Sequence, residues 1–283
     1  MVLWLGLSCV VASALTQRAH PMRAEQLPSG TASRWETVRL STSDGETLGA
    51  WFAIGDREQP VVLLFHGNGG CRSSMLPQAD WLVARGCGVL LVTLRAHGDS
   101  TGTRNDIGYS SRLDVRSAVD WVAQRDPTRR RIVWGQSVGG AAAILASLDA
   151  ELPVDGYILE CVFADLDRAV WNRLRMYLPP VLDQIAYVGL RVVAPAFVPH
   201  LDETAPARAA KRMPTDRPVL LLAGSIDRRA TVAESQEIAA SIGECAHVAI
   251  VEGGDHLTLH DANSQQYFDE IARLLSRVPP TKP

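Results

Sequence analysis

Val61-Val62-Leu63-Leu64-Phe65 is a run of five apolar residues with no polar alternation. A strand with one face in water would alternate. An unbroken run belongs to a strand covered on both faces, as in a parallel sheet sandwiched between helices. Residues 88–94, 132–134, 156–159, 219–223 and 248–251 have the same character. Between them, apolar residues recur at helical spacing over 73–84, 107–124, 138–148, 231–242 and 265–278. Strands alternating with helices predict βαβ crossovers and a largely parallel sheet. Ahead of them, residues 36–40 and 47–53 flank the turn signal Ser43-Asp44-Gly45 and predict an antiparallel hairpin.

One stretch breaks the alternation. Over about 162–214 no strand is evident, and 165–177 and 181–193 are two amphipathic patterns separated by Pro179-Pro180. This is a helical insertion that serves either as a lid over the strand ends or as an extra packing layer. Its apolar residues, such as Val188, Leu190 and Phe197, suit a lipophilic substrate group but equally suit packing.

Residues 2–15 form an apolar run. It is short of the roughly 20 residues of a spanning helix and within the range of a secretory core. Ala12-Ser13-Ala14 offers a small-residue cleavage site, whereas Arg18 and Arg23 follow the run and no basic residue precedes it. The expectation is a signal or anchor-like segment with possible membrane association through 2–15, on a secreted or envelope-associated protein. The alternative is an extension packed on the domain or mobile in solvent, with a cytoplasmic location. Residues 16–33, with Pro21, Pro28 and Gly30, read as linker. The expected organisation is thus 1–33 as segment and linker and 34–283 as one domain.

Lys and Arg number 28 against 31 Asp and Glu, a net charge of −3. Without a basic surplus, a nucleic-acid partner is not favoured. The five cysteines make no CxxC pair, so neither a zinc cluster nor a redox motif is indicated.

Chemistry concentrates at Gly135-Gln136-Ser137-Val138-Gly139. This G-x-S-x-G directly follows a strand and opens a helix of small residues. A sharp strand–turn–helix exposes the serine hydroxyl, and the helix N-terminus favours developing negative charge. Gly98-Asp99-Ser100-Thr101-Gly102 has the same spelling but continues into polar Thr103-Arg104-Asn105-Asp106, so Ser100 reads as a turn residue. His66-Gly67-Asn68-Gly69-Gly70 fits an oxyanion loop better than a phosphate cradle, because Arg72 stands where a third glycine would be needed. Both Asn68 and Val138 keep a backbone donor, neither being proline.

His256, on the loop after the last strand, is the expected general base, with His260 as rival and His97 as a site-lining residue. A metal reading of His256 and His260 lacks the Glu of H-E-x-x-H. The acid that orients His256 is Asp227, just past the strand 219–223. Glu160 is its main rival, and Asp255 is too close in sequence.

The order Ser137, Asp227, His256, with the His-Gly loop upstream, resembles the α/β-hydrolase superfamily. Within it the chain is most similar to Bem46-like, ABHD13/ABHD17-like and serine-aminopeptidase-like (S33-type) hydrolases. Thr42-Ser43-Asp44-Gly45, Phe65-His66-Gly67-Asn68-Gly69-Gly70, Arg95-Ala96-His97-Gly98-Asp99-Ser100 and Gly254-Asp255-His256 carry the likeness across about 35–277. Thr93, Ala96 and Cys161 depart from the usual Asp, Gly and Ser. The resemblance implies an α/β-hydrolase fold with a mostly parallel eight-stranded sheet. It also implies Asn68 and Val138 as oxyanion donors, a small acyl substrate, and no metal or cofactor. Carboxylic esters are the first expectation, thioesters the second and peptides the third. Asp165 and Glu203 are candidate amine sites for a peptidase. A non-catalytic binding protein of the same fold and an acyltransferase are the other readings.

Overall fold

The computed structural model describes residues 2–18, 20–27 and 34–278; Pro28 and Gly30 of the expected linker lie outside them. Eight strands form one sheet: β1 (Glu36–Ser41), β2 (Thr47–Ala53), β3 (Val61–Phe65), β4 (Gly88–Val92), β5 (Arg131–Gln136), β6 (Gly156–Glu160), β7 (Val219–Gly224) and β8 (Ala246–Val251). Their order is β1-β2-β4-β3-β5-β6-β7-β8. The β1/β2 and β2/β4 pairs are antiparallel, and every pair from β4/β3 to β7/β8 is parallel. The helices are α1 (Val2–Thr16), α2 (Leu76–Val83), α3 (Arg112–Arg125), α4 (Val138–Leu145), α5 (Leu166–Tyr177), α6 (Leu182–Phe197), α7 (Pro206–Ala209), α8 (Val232–Ile242), α9 (Leu259–Ala262) and α10 (Ser264–Arg277).

The unbroken apolar run does what two-sided burial requires. Val61, Leu63 and Phe65 enter one core with Val115 and Val119 of α3 and Ala142 of α4. Val62 and Leu64 enter the opposite core with Leu82 of α2 and Ile271 of α10. All five side chains are essentially inaccessible to water.

Two helix starts differ from the expected ones. The segment from 73 begins as a 3-10 turn, Arg72–Met75, and becomes α-helical only at Leu76. Pro77 sets that start: it occupies the first turn, where its missing N–H is harmless. The helix expected from 107 begins at Arg112. Ile107 and Gly108 hold positive φ angles of 57° and 113°, and the Asp106 carboxylate accepts the Ser110 N–H at 2.9 Å. A side chain thus caps a turn where apolar spacing alone suggested helix. The insertion between β6 and β7 consists of α5, α6, α7 and a 3-10 turn, Ala210–Arg212.

Residues 2–16 form α1, which packs against α6. No helix of the described residues is long and apolar enough to cross a membrane. Residues 17, 18 and 20–27, part of the stretch read as linker from composition, are held along the loop after β4. Gln17 bridges to Arg104, and the Arg18 and Arg23 N–H groups donate to Thr103 and Gly98 carbonyls at 2.9 and 3.1 Å.

α4 approaches the sheet because Gly139 has no side chain. A Cβ there would lie 2.8 Å from the His66 carbonyl oxygen and closer still to that of Phe65, both backbone atoms. Gly139→Ala must therefore separate α4 from β3. The expected loss is on the order of 2–3 kcal/mol, read as a lowered urea midpoint at unchanged slope; an unchanged midpoint would contradict this packing.

Candidate functional site

The chain reverses sharply between β5 and α4, and Ser137 occupies the corner. Its backbone is at φ 50°, ψ −112°, a strained region for a residue with a Cβ. The corner presents the hydroxyl at the carboxyl ends of the parallel strands. Ser137 and Val138 line a cavity of about 330 Å³ together with Asn68.

His256 reaches Ser137 from the loop after β8. Its Nε2 is 3.1 Å from Ser137 Oγ, and its Nδ1 is 2.8 Å from Asp227 Oδ2. Asp227, on the loop after β7, uses its other oxygen to accept the Arg229 and Ala230 N–H groups at 2.8 and 3.1 Å. Burial alone would raise the Asp227 pKa. The hydrogen bond and charge of His256, with the two backbone donors, outweigh it and hold the carboxyl below its usual range. The group stays ionised and fixes the proton of His256 on Nδ1, which leaves Nε2 free to accept from the serine.

The rivals are occupied elsewhere. Glu160 is fully buried and accepts from Gln136, Trp134 and the Tyr267 hydroxyl at 2.9, 3.2 and 2.7 Å. Asp255 accepts the His256 backbone N–H. His260 pairs with Asp261. Ser100 is buried, donating to the Thr93 carbonyl and accepting from Gly49. Asp165 caps α5 through the Arg168 N–H, and Glu203 binds His200 and Tyr109. Neither acid lines the cavity.

The glycine loop after β3 is clamped by two histidines whose roles the sequence did not reveal. His66 donates from Nδ1 to the Gly67 carbonyl at 2.7 Å and accepts the Leu94 N–H on Nε2 at 3.0 Å. His97 donates from Nδ1 to the Arg95 carbonyl at 2.8 Å and accepts the Gly69 N–H at 3.2 Å. Each ring must be neutral to do both. Burial, aided by the neighbouring His97, lowers the His66 pKa to about 3. The same loop runs into Arg72, which is fully buried, pairs with Asp99 at 2.5 Å and Glu25 at 3.3 Å, and lies over the Trp51 ring. Where Arg72 fails a nucleotide motif, it anchors the end of this loop through buried ion pairs. Among the described residues the Asn68 and Val138 N–H groups donate to no protein acceptor, as oxyanion donors require.

Cys161, Asp227 and His256 bring three potential ligand atoms within 4.8 Å. The set is a poor metal site. Burial, with the charges of Glu160 and Asp227 nearby, pushes the Cys161 thiol well above its usual range, so it remains a protonated thiol and a poor ligand. His256 is already committed on both ring nitrogens.

A mostly parallel eight-stranded sheet, with a serine at the corner after β5 and a histidine after β8, is the architecture of an α/β hydrolase. Residues 56–205 match the family model described as "Serine aminopeptidase, S33", and the chain belongs to that family of hydrolases. It is 26% identical over 262 residues to the uncharacterized Mycobacterium tuberculosis (strain ATCC 25618 / H37Rv) protein Rv2307c, covering 91% of this chain and 83% of the other. It is 30% identical over 151 residues to the lysophosphatidylserine lipase ABHD12 of Rattus norvegicus, covering 45% of this chain and 37% of the lipase. The Pyrococcus furiosus esterase Pf2001 shares the fold with a TM-score of 0.73 at 21% identity, over 92% of this chain and 97% of the esterase.

His66 sets a pH dependence of stability. Its folded pKa of about 3 lies below the ordinary 6.5, so the unfolded chain takes the proton first and stability drains as pH falls from 6.5 towards 3. Urea unfolding of His66→Gln should show a flatter pH dependence than wild type across that window, from a lower starting stability. Parallel curves for the two proteins would contradict the neutral, buried assignment.

Proposed function

We propose that this hydrolase cleaves carboxylic esters with a lipophilic acyl group, using Ser137 as nucleophile, His256 as general base and acid, and Asp227 as the residue that orients His256. The observation that carries the reading is the hydrogen-bond chain Asp227–His256–Ser137, at 2.8 and 3.1 Å, ending at the floor of an apolar cavity.

In this mechanism His256 Nε2 takes the Ser137 proton as Oγ attacks the acyl carbonyl. The oxyanion of the tetrahedral intermediate is received by the Asn68 and Val138 N–H groups, reinforced by the N-terminal end of α4. His256 then protonates the departing alcohol, and an acyl-enzyme on Ser137 remains. Water, deprotonated by His256, attacks that ester; collapse returns the proton to Ser137 and releases the acid. Asp227 stays ionised throughout and stabilises the transient imidazolium.

The cavity supports the substrate class. Its lining is predominantly apolar, with Phe163, Leu166, Val170, Leu190 and Phe197 prominent, and the one acid among the described lining residues, Asp167, is paired with Arg191 at 3.2 Å. A free peptide amine finds no unpaired carboxylate there, which favours esters and thioesters over an aminopeptidase substrate. The insertion carrying α5 and α6 supplies much of the lining, and we assign it the role of lid. A purely binding role is disfavoured because the Ser137, His256 and Asp227 side chains are hydrogen-bonded in a chain, with the Asn68 and Val138 N–H groups free of protein acceptors among the described residues.

Turnover of p-nitrophenyl esters provides the test. Ser137→Ala should lower kcat by about 10⁴-fold or more, and Asp227→Asn by about 10⁴-fold, with both proteins folded. Near-wild-type turnover in Ser137→Ala would sink the nucleophile assignment, and near-wild-type turnover in Asp227→Asn would remove Asp227 from the reaction.

A further inference from the structure

The cavity above Ser137 has a wall that belongs neither to the sheet nor to the insertion. Val11, Ala12, Leu15 and Thr16 of α1 line it. We propose that α1 is a lasting part of the acyl-binding chamber and sets which acyl chains the chamber accepts; the inference rests on, and extends, the ester-hydrolase reading.

α1 is fitted to its place. It crosses α6 at Gly189, where a Cβ would lie 3.0 Å from the Trp4 ring and inside contact distance of Ser8 Oγ. The Trp4 indole donates to the Ile185 carbonyl at 3.2 Å. Ser8, Ala12 and Thr16 are buried, whereas Leu3, Leu7 and Val10 point away and are exposed. The helix has one face against α6 and the chamber and another turned outward.

The chain leaving α1 is anchored to the catalytic end of the sheet. The Arg18 guanidinium donates to the Gly98 and Gly102 carbonyls, each at 3.1 Å, and Glu25 pairs with the buried Arg72. A two-step link runs from α1 to the oxyanion loop. The Thr16 carbonyl accepts the Asn105 N–H at 2.8 Å, and the Asn105 side chain donates to Asn68 Oδ1 at 2.6 Å. The end of α1 and the loop bearing the Asn68 donor therefore share one fixed residue.

The chemistry of the wall defines what it touches. Residues 2–16 include no charged side chain, and Val11, Ala12 and Leu15 offer only hydrocarbon to the chamber. At 15 residues the helix is about 22 Å long, less than the roughly 30 Å core of a bilayer. Part of its apolar surface serves the chamber and α6, while Leu3, Leu7 and Val10 face outward. Cleavage after Ala14 would remove Val11 and Ala12 and open the chamber on that side, so the wall requires that the segment be retained.

Binding of a fluorescent twelve-carbon fatty acid to the full chain carrying Ser137→Ala tests this without turnover. Leu15→Trp, and independently Val11→Trp, place an indole at the chamber wall and should weaken binding about ten-fold. Leu7→Trp, on the outward face, should bind as the parent does. In the chain with Ser137 intact, Leu15→Trp should lower the ratio of decanoate to acetate ester kcat/KM by a similar factor. Unchanged probe affinity in both wall variants, or equal weakening by Leu7→Trp, would overturn the proposal. Absence of ester turnover in the wild type would instead count against the hydrolase reading, while the probe comparison still decides the role of α1.

Discussion

The strained corner at Ser137 is the constraint on which the rest of the site depends. A residue with a Cβ at φ 50°, ψ −112° is held there only if both flanking elements are fixed. β5 is fixed by parallel pairing with β3 and β6. α4 is fixed by direct contact of Gly139 with the end of β3. The Ser137 N–H donates to the Glu160 carbonyl at 2.7 Å and its carbonyl accepts the Ala141 N–H at 2.9 Å, so the corner is tied to sheet and helix. Sheet packing thus maintains a backbone geometry that the segment would not adopt alone. In return the hydroxyl stands at a defined point above the strand ends.

Around that point the electrostatics are divided between two layers. At the end of the glycine loop the buried Arg72 pairs with Asp99 and Glu25, and Asp99 also takes the half-exposed Arg39. Beside the serine, Asp227 is kept ionised by His256 and two backbone donors. Between the layers, His66 and His97 are neutral, because each accepts an N–H with one nitrogen while donating to a carbonyl with the other. A charged imidazolium at either position would lose an accepting contact and turn a proton towards a backbone N–H. Neutral clamps let the loop keep its shape without placing positive charge beside the amides of Asn68 and Val138.

Much of this was legible in the sequence, for identifiable reasons. Val61–Phe65 is unambiguous because two-sided burial leaves no polar positions. Ser137 stands apart from Ser100 because a strand and a small-residue helix flank it. Asp227 and His256 stand out by lying on successive strand-end loops. The clamps at His66 and His97 were not legible, since their partners are backbone groups brought together only by the fold. The start of α3 was hidden because Asp106 captures the Ser110 N–H, and side-chain capping leaves no trace in apolar spacing. Residues 2–16 have the composition of a leader, and only their contacts with α6 and the cavity reveal another use. Ala96, at φ 57°, takes a left-handed conformation where the resemblance leads one to expect glycine.

Ser137 is the residue proposed to become acylated. The most direct measurement is mass-spectrometric mapping of a fluorophosphonate adduct on the folded wild-type chain. A single adduct on the peptide containing Ser137, with the Ser100 peptide unmodified, is the expected result. An adduct on Ser100, or a folded chain that stays unmodified, would contradict the account.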